Sequence, residues 1–368
     1  MDSITQAALG GVVGELVLGK KIGWKGMAWG LLFGTIPDLD VLCSPWLSAT
    51  ESLRWHRGVS HSILMMVVAS LVLAKPLAHL HREKGVTAQR AGWFVFWAWS
   101  THVLIDVFTS YGTQIFEPFS DMRVSTSNLF IIDLFFTLPL LGCLFYRLGV
   151  GLVSSGRCLA WMRRNEGEME PFEWPVFSRR PAVISISLSS LYVLFSFMMK
   201  FWAVDQMKAQ MVKAIPGARL VSVAPTPFNT ILWRGLIESE EGYHVTYWSP
   251  FDDGAASYDL LKKRRELASI FEGQEDFETL KWFSRGDWVA RPGPDGKVVF
   301  IDLRFGGLRD PEEKQLMPMF QWRLGYDEDG KMEAQSYRPS DIDMKEAFGL
   351  ILERVGGDRT RWEDVKSY

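Results

Sequence analysis

Apolar runs dominate the chain up to about residue 205 and are broken at intervals by short polar clusters. Six of them read as candidate membrane segments, at about 4–19, 26–43, 61–80, 91–110, 129–153 and 181–204. At about 1.5 Å per residue, the last four are long enough to cross a hydrocarbon core of roughly 30 Å. The first two are short and polar, with Gln6 and Glu15 in one and Asp38 and Asp40 in the other. Such segments are expected to face protein or a wet cavity. The run Ile4 to Leu18 has no basic stretch ahead of it, and Lys20, Lys21 and Lys25 follow it. It is therefore expected to be a retained helix and not a signal peptide.

Beyond residue 205 the period changes. Asp205 to Ile215 can carry the sixth helix into water, and strand-like runs follow: TILWRGLI, YHVTYWS, KVVFIDLRF and FQWRLGY. Asp295-Gly296 and Asp329-Gly330 stand where hairpin turns belong. Amphipathic helices are expected near Leu260 to Phe271 and Met344 to Val355. The pattern predicts a membrane α-helical bundle of about six segments over 1–204. A soluble α+β domain with an antiparallel sheet follows over 205–368.

The formal net charge of −3 over 368 residues gives no field that would favour nucleic acid. Basic residues fall unevenly among the loops: Lys20, Lys21 and Lys25, then Arg82, Lys84 and Arg90, then Arg157, Arg163, Arg164, Arg179 and Arg180. The alternate loops hold only Arg54 and Arg57, then Arg123. The positive-inside rule puts the N-terminus, these arginine-poor loops and the soluble domain on the outer side. Cys43, Cys143 and Cys158 lack metal spacing and read as small apolar fillers.

Polar clusters then converge on that outer face. IPDLD brings Asp38 and Asp40, WHRGVSHS brings His56, Arg57 and His61, and THVLID brings His102 and Asp106 four apart on one helical face. Ser60 is placed to cap a helix opening at His61. Alone, each cluster is explained by capping, packing or lipid headgroups. Together they offer imidazole and carboxylate ligands suited to Zn²⁺, as one ion or as two sharing an aspartate. Such an ion acidifies its water and polarises a phosphoryl or acyl oxygen. Arg57 suits a substrate phosphate. Gln6 and Glu15 could line the same cavity, and Asp2 could reach it from the outer end. His79 and His81 belong to the opposite face, His244 reads as structural, and Trp93, Phe94, Trp97 and Trp99 read as interfacial or lipid-facing.

The segments MDSITQAALGGVVGE, TIPDLD, HRGVSHS, THVLIDVFTSYGTQ and FIIDLFFTLPLL together resemble the YdjM-like family of inner-membrane metal-dependent hydrolases, over roughly residues 1–150. That family is distantly similar to the zinc-dependent phospholipase C and P1-nuclease group. The resemblance implies a multi-pass bacterial inner-membrane protein; in a Gram-negative cell the outer side given by the positive-inside rule, with the soluble domain, would be the periplasm. It also implies His56, His61, His102, Asp106, Asp38 and Asp40 as metal-site residues. The chain departs from the family pattern at Gln6 and Val41, where some members carry histidine.

The expected activity is metal-dependent hydrolysis of a phosphodiester or other ester in a lipid or lipid-linked substrate. Asp38, Asp40 or Asp106 would act as general base or bridging ligand. Two alternatives stand beside it. One is a non-enzymatic membrane protein whose outer domain binds an envelope partner. The other is a transporter using the intramembrane Glu15, although no inverted repeat supports it.

Overall fold

The computed structural model describes residues 1–164, 178–293, 296–309, 316–337 and 343–360, with Trp362; for 155–164 and Met344 it describes the backbone alone. The expectations placed on Asp295 and Cys158 lie outside the described residues or side chains. The helical half contains α1 (Ser3–Ile22), α2 (Trp24–Phe33), α3 (Ala49–Trp55), α4 (Ile63–Leu80), α5 (Ala88–Val107), α6 (Leu134–Arg164) and α7 (Arg180–Ala214). Among the described residues three stretches are long and apolar enough to cross a membrane, Ile63–Leu80, Leu134–Ser154 and the helix Arg180–Ala214; α5, at the expected fourth segment, is not one of them. The outward faces of the three carry exposed Leu71, Phe145, Leu152 and Leu194, as lipid contact requires.

The second expected segment is not one membrane helix. Its ten-residue α2, about 15 Å long, gives way at Pro37 to a 3-10 stretch, Ile36–Trp46. α1 and α2 instead form a hairpin sealed by glycine. A β-carbon on Gly30 would stand 2.1 Å from the Gly10 carbonyl oxygen, and one on Gly14 2.1 Å from that of Gly26. Only glycine lets the two backbones approach this closely. Gly30→Ala is therefore expected to destabilise the protein by about 2–3 kcal/mol. Gly142→Ala, where the added carbon meets nothing within 4 Å, should leave the denaturant midpoint unchanged. Equal midpoints for the two variants would contradict the tight hairpin.

Other details also shift. α4 opens at Ile63, and its cap is Ser62, whose hydroxyl accepts from the Met65 N–H; Ser60 has another task. Trp99 and Phe94 are buried, while Trp93 and Trp97 keep the exposure expected of interfacial anchors. Glu15 lies away from the polar clusters, paired with Arg147 of α6 at 2.5 Å. Cys143 is buried as a filler, but Cys43 is exposed on the 3-10 stretch. On the opposite face His81 is buried and accepts from Trp29 Nε1 at 2.8 Å.

The rest of the chain forms two antiparallel four-stranded meanders. The first holds β1 (Arg219–Pro225), β2 (Trp233–Glu238), β3 (Tyr243–Trp248) and β4 (Asp259–Leu261). The second holds β5 (Trp288–Pro292), β6 (Val298–Arg309), β7 (Leu316–Tyr326) and β8 (Met332–Ser336). The Asp329-Gly330 turn joins β7 to β8, with Gly330 at φ 77°. Helix α9 (Met344–Val355) matches expectation. The stretch expected as an amphipathic helix from Leu260 is instead β4 followed by a 3-10 turn, Arg265–Phe271, and α8 (Glu275–Phe283) comes after it. His244 is held by Ser239 within the first sheet, a structural position.

The sheets do not hang free. Leu53 of α3 and Tyr111 of the loop after α5 join the aromatic core formed by Phe277, Phe283, Phe300 and Trp322. The Tyr111 and Phe283 rings lie 5.1 Å apart. Arg54 Nε donates to Thr279 Oγ1 at 3.0 Å, and Arg285 donates to the Arg123 carbonyl at 2.7 Å. The sheet domain thus sits on the face of the bundle where the polar clusters lie.

Candidate metal centre

Three segments that are distant in sequence meet beneath those loops. The last turns of α5 present His102 and Asp106, the 3-10 stretch after α2 presents Asp38 and Asp40, and a second 3-10 turn, Val59–His61, presents His61. His61, His102 and Asp106 are fully buried, and Asp38 is partly exposed.

Four ligand atoms converge. His61 Nε2 lies 3.1 Å from His102 Nε2. Asp38 Oδ1 is 3.3 Å from the first and 3.4 Å from the second, and Asp106 Oδ2 is 3.3 and 3.5 Å from them. A tetrahedron with metal–ligand bonds of about 2.0–2.1 Å has edges of about 3.3–3.4 Å. The five distances match that figure within the spread of real sites.

The outer contacts show which ring nitrogen is free. His102 Nδ1 faces the Gly34 carbonyl at 2.7 Å, so Nδ1 carries the proton and the Nε2 lone pair points inward. Ser60 Oγ donates to Asp40 Oδ2 at 3.1 Å and stands 2.9 Å from His61 Nδ1. The hydroxyl has a single proton, so His61 Nδ1–H donates to it, and this Nε2 also points inward bare. Two imidazole lone pairs and two carboxylate oxygens then face one another. Asp38 Oδ1 and Asp106 Oδ2 are buried without a hydrogen-bond donor. Four converging acceptors repel unless a cation lies among them. The donor set fits a divalent ion.

The remaining residues predicted from sequence form a brace around this set. Asp40 is fully engaged: Oδ1 meets His56 Nδ1 at 3.0 Å, and Oδ2 accepts from the Arg57 N–H at 2.9 Å as well as from Ser60. Asp38, Asp40 and His56 lie close enough to make a second, more exposed trio, but its Asp40–His56 pair is already hydrogen-bonded. The structure therefore brings four of the six expected ligands into one buried set and places Asp40 and His56 with Asp38 in a second, more exposed group. Arg57 is buried, and its Nη2 lies 3.0 Å from Asp106 Oδ1 while Nη1 donates to Thr109 at 3.1 Å. Its backbone adopts φ 61°, a left-handed conformation costly for arginine. Gln6 donates to Asp106 Oδ1 at 2.9 Å, and the Met1 amine contacts the same oxygen. Asp2 instead caps α1.

Sequence reading missed three braces. Trp99 Nε1 donates to the Ser60 carbonyl at 2.8 Å and fixes the turn that carries His61. Gly34 supplies the carbonyl that orients His102. Arg123 is buried, donates to the carbonyls of Gly112, Leu53 and His56, and lies over the Tyr111 ring at 4.9 Å. Burial without a carboxylate partner pushes it down to about 10. Arg123 ends the polar run YGTQIFEPFSDMR that follows α5. Ser60→Ala removes the link between His61 and Asp40 and is expected to weaken metal binding about 10–100-fold. A metal titration of purified protein measures this, and unchanged affinity would refute the role of Ser60.

Comparison with known proteins places this geometry in context. A relative from Bacillus subtilis (strain 168), described as "Uncharacterized protein YfhP", is 27% identical over 147 residues, which cover 37% of this chain and 42% of that protein. The match thus spans less than half of either chain, and no solved structure matches. The family model described as YdjM inner membrane protein matches residues 1–203, the whole helical half that carries the His/Asp cluster. By that match, the chain belongs to the YdjM inner membrane protein family.

Proposed function

We propose that this membrane protein is a metal-dependent hydrolase acting on a phosphodiester or other ester bond of a lipid-like substrate at the outer face of the inner membrane. The observation that carries the reading is the buried convergence of ligand atoms from His61, His102, Asp106 and Asp38, with Asp38 Oδ1 and Asp106 Oδ2 left without a hydrogen-bond partner. These four would hold the ion, which on binding supplies Lewis acidity and a more acidic water. Zn²⁺ suits the mixed nitrogen and oxygen set.

The chain's own groups divide the work. Asp106 is pinned by Arg57 and Gln6 and serves as a ligand. Arg57 acts through Asp106, so a substrate role for it requires the guanidinium to leave that carboxylate. The Asp40–His56 pair, more open to solvent, is placed to accept a proton. Leu39, Val41, Leu42, Trp46 and Trp55, on the segments that carry or adjoin Asp38, Asp40 and His56, are exposed. Exposed apolar side chains of this kind favour a lipid surface over a soluble substrate.

One observation favours a second reading. Four protein ligands complete a tetrahedron, as in structural zinc sites, which leave no open position. On that reading the ion fixes the loops on which the sheet domain rests, and the domain binds an envelope partner. Purified protein, with and without chelator, tested on phosphodiester and ester lipids separates the two. Chelator-sensitive hydrolysis supports the enzyme. Bound metal with no hydrolysis, and chelation that only lowers stability, overturns it in favour of the structural site.

A further inference from the structure

A partly open cleft lies where the bundle meets both sheets. The bundle contributes Leu129, Phe130 and the loop Thr109 to Tyr111, and the second sheet contributes Phe305 and Phe320. The lining is mainly apolar, yet two buried arginines enter it. Arg234 on β2 is 5% exposed and its Nε has no hydrogen-bond partner; it meets the Tyr247 side chain, and the carboxylate that acts on it, Asp302, is already bound by Arg304. Arg304 on β6 pairs with Asp302 through Nε and Nη2, and its Nη1 is left without a partner.

Arginine keeps its charge when buried. A buried guanidinium without a carboxylate of its own is unfavourable unless an anion reaches it. The surroundings strengthen that demand. A second, polar cleft shares Ser110, Ala224 and Arg304 with the first and adds Arg219 and Arg285. Its one carboxylate, Asp287, is pushed up by burial and by Asp302, which weakens it as a counter-charge. Apolar walls therefore end at a cluster of guanidinium groups. Gly306, beside Arg304, packs on the Arg234 stem, so both cations serve the same end of the cleft.

We propose that this junction binds an amphiphile with one acyl chain and an anionic head, the head on Arg234 and Arg304 and the chain among Leu129, Phe130, Phe305 and Phe320. The site is distinct from the metal centre and does not depend on hydrolysis. The two share the Thr109 to Tyr111 loop, since Thr109 also accepts from Arg57.

Native mass spectrometry of the full chain released from uncharged detergent tests this. The probes are hexadecanoate, a hexadecyl lysophosphatidate, hexadecanol as an uncharged chain, and inorganic phosphate as an anion without a chain. Wild-type protein should hold one anionic chain about tenfold more tightly than hexadecanol, the scale of a charge-assisted pair in a dry site. Arg234→Met should lose that preference and still take up hexadecanol, which shows that the cleft remains folded. Chelator-treated protein should bind as before, separating this site from the metal reading. Retention of the preference in Arg234→Met would overturn the proposal. So would inorganic phosphate binding as tightly as the acylated anions, which would mark a soluble-anion site. Between the two acylated probes, better binding of either names the headgroup and supports the amphiphile.

Discussion

His61→Ala and His102→Ala proteins are expected to purify with less than about a tenth of the metal bound by the wild type, because each removes one of four ligands from a site that closes only on folding. The imidazoles approach to 3.1 Å, so neither can be replaced by movement of the other. Elemental analysis of detergent-purified protein is the direct measurement. A stability effect should accompany it. An ion held at about 100 times its dissociation constant stabilises the fold by about 2.7 kcal/mol, and chelation of the wild type should remove that increment. The two variants should be indifferent to chelator. Near-zero metal in all three proteins would sink the metal centre and leave the convergent acceptors to share protons instead. His79→Ala, on the exposed opposite end of α4, is the control expected to keep its metal.

Arg147→Met is expected to destabilise the protein by about 3–5 kcal/mol, the loss found when one member of a buried pair is removed. Arg147 reaches across from α6 to Glu15 of α1 at 2.5 Å, and both side chains are almost wholly buried. The second Glu15 oxygen already lacks a hydrogen-bond partner, so the pair is the principal support of that carboxylate. Without it, an acid remains between helices in an apolar setting. Denaturant unfolding in detergent measures the effect. The double variant Glu15→Gln with Arg147→Met should recover most of the loss, since no charge is then stranded. A single variant as stable as the wild type would show that the pair contributes nothing. In the structure Glu15, which in sequence resembles an ion-path residue, is held in this pair.

Several features were legible because they depend on local patterns. Apolar period and length located α4, α6 and α7, and the change of period near residue 205 located the sheets. His102 and Asp106 share a face because four residues make about one helical turn. Asp38 stood out because an unpaired carboxylate in an apolar stretch needs a reason. The errors share one cause. Ser60 and Ser62 are both good caps, and only the position of Asp40 decides that Ser60 turns away to hold His61. Trp99 looks like its neighbours Trp93 and Trp97 until the carbonyl it serves is brought beside it.

The sequence by itself determined the class of molecule and the types of ligand, since hydropathy and side-chain chemistry are properties of each position. Tertiary structure decided which of six plausible ligands meet. It drew His61, His102, Asp106 and Asp38 into one buried set and Asp40 and His56 into a second group around Asp38. It also placed two sheets over the site and formed a charged cleft where they join the bundle. These outcomes rest on contacts between residues far apart in the chain. Whether a donor faces an acceptor depends on packing of a few tenths of an ångström, which no local pattern encodes.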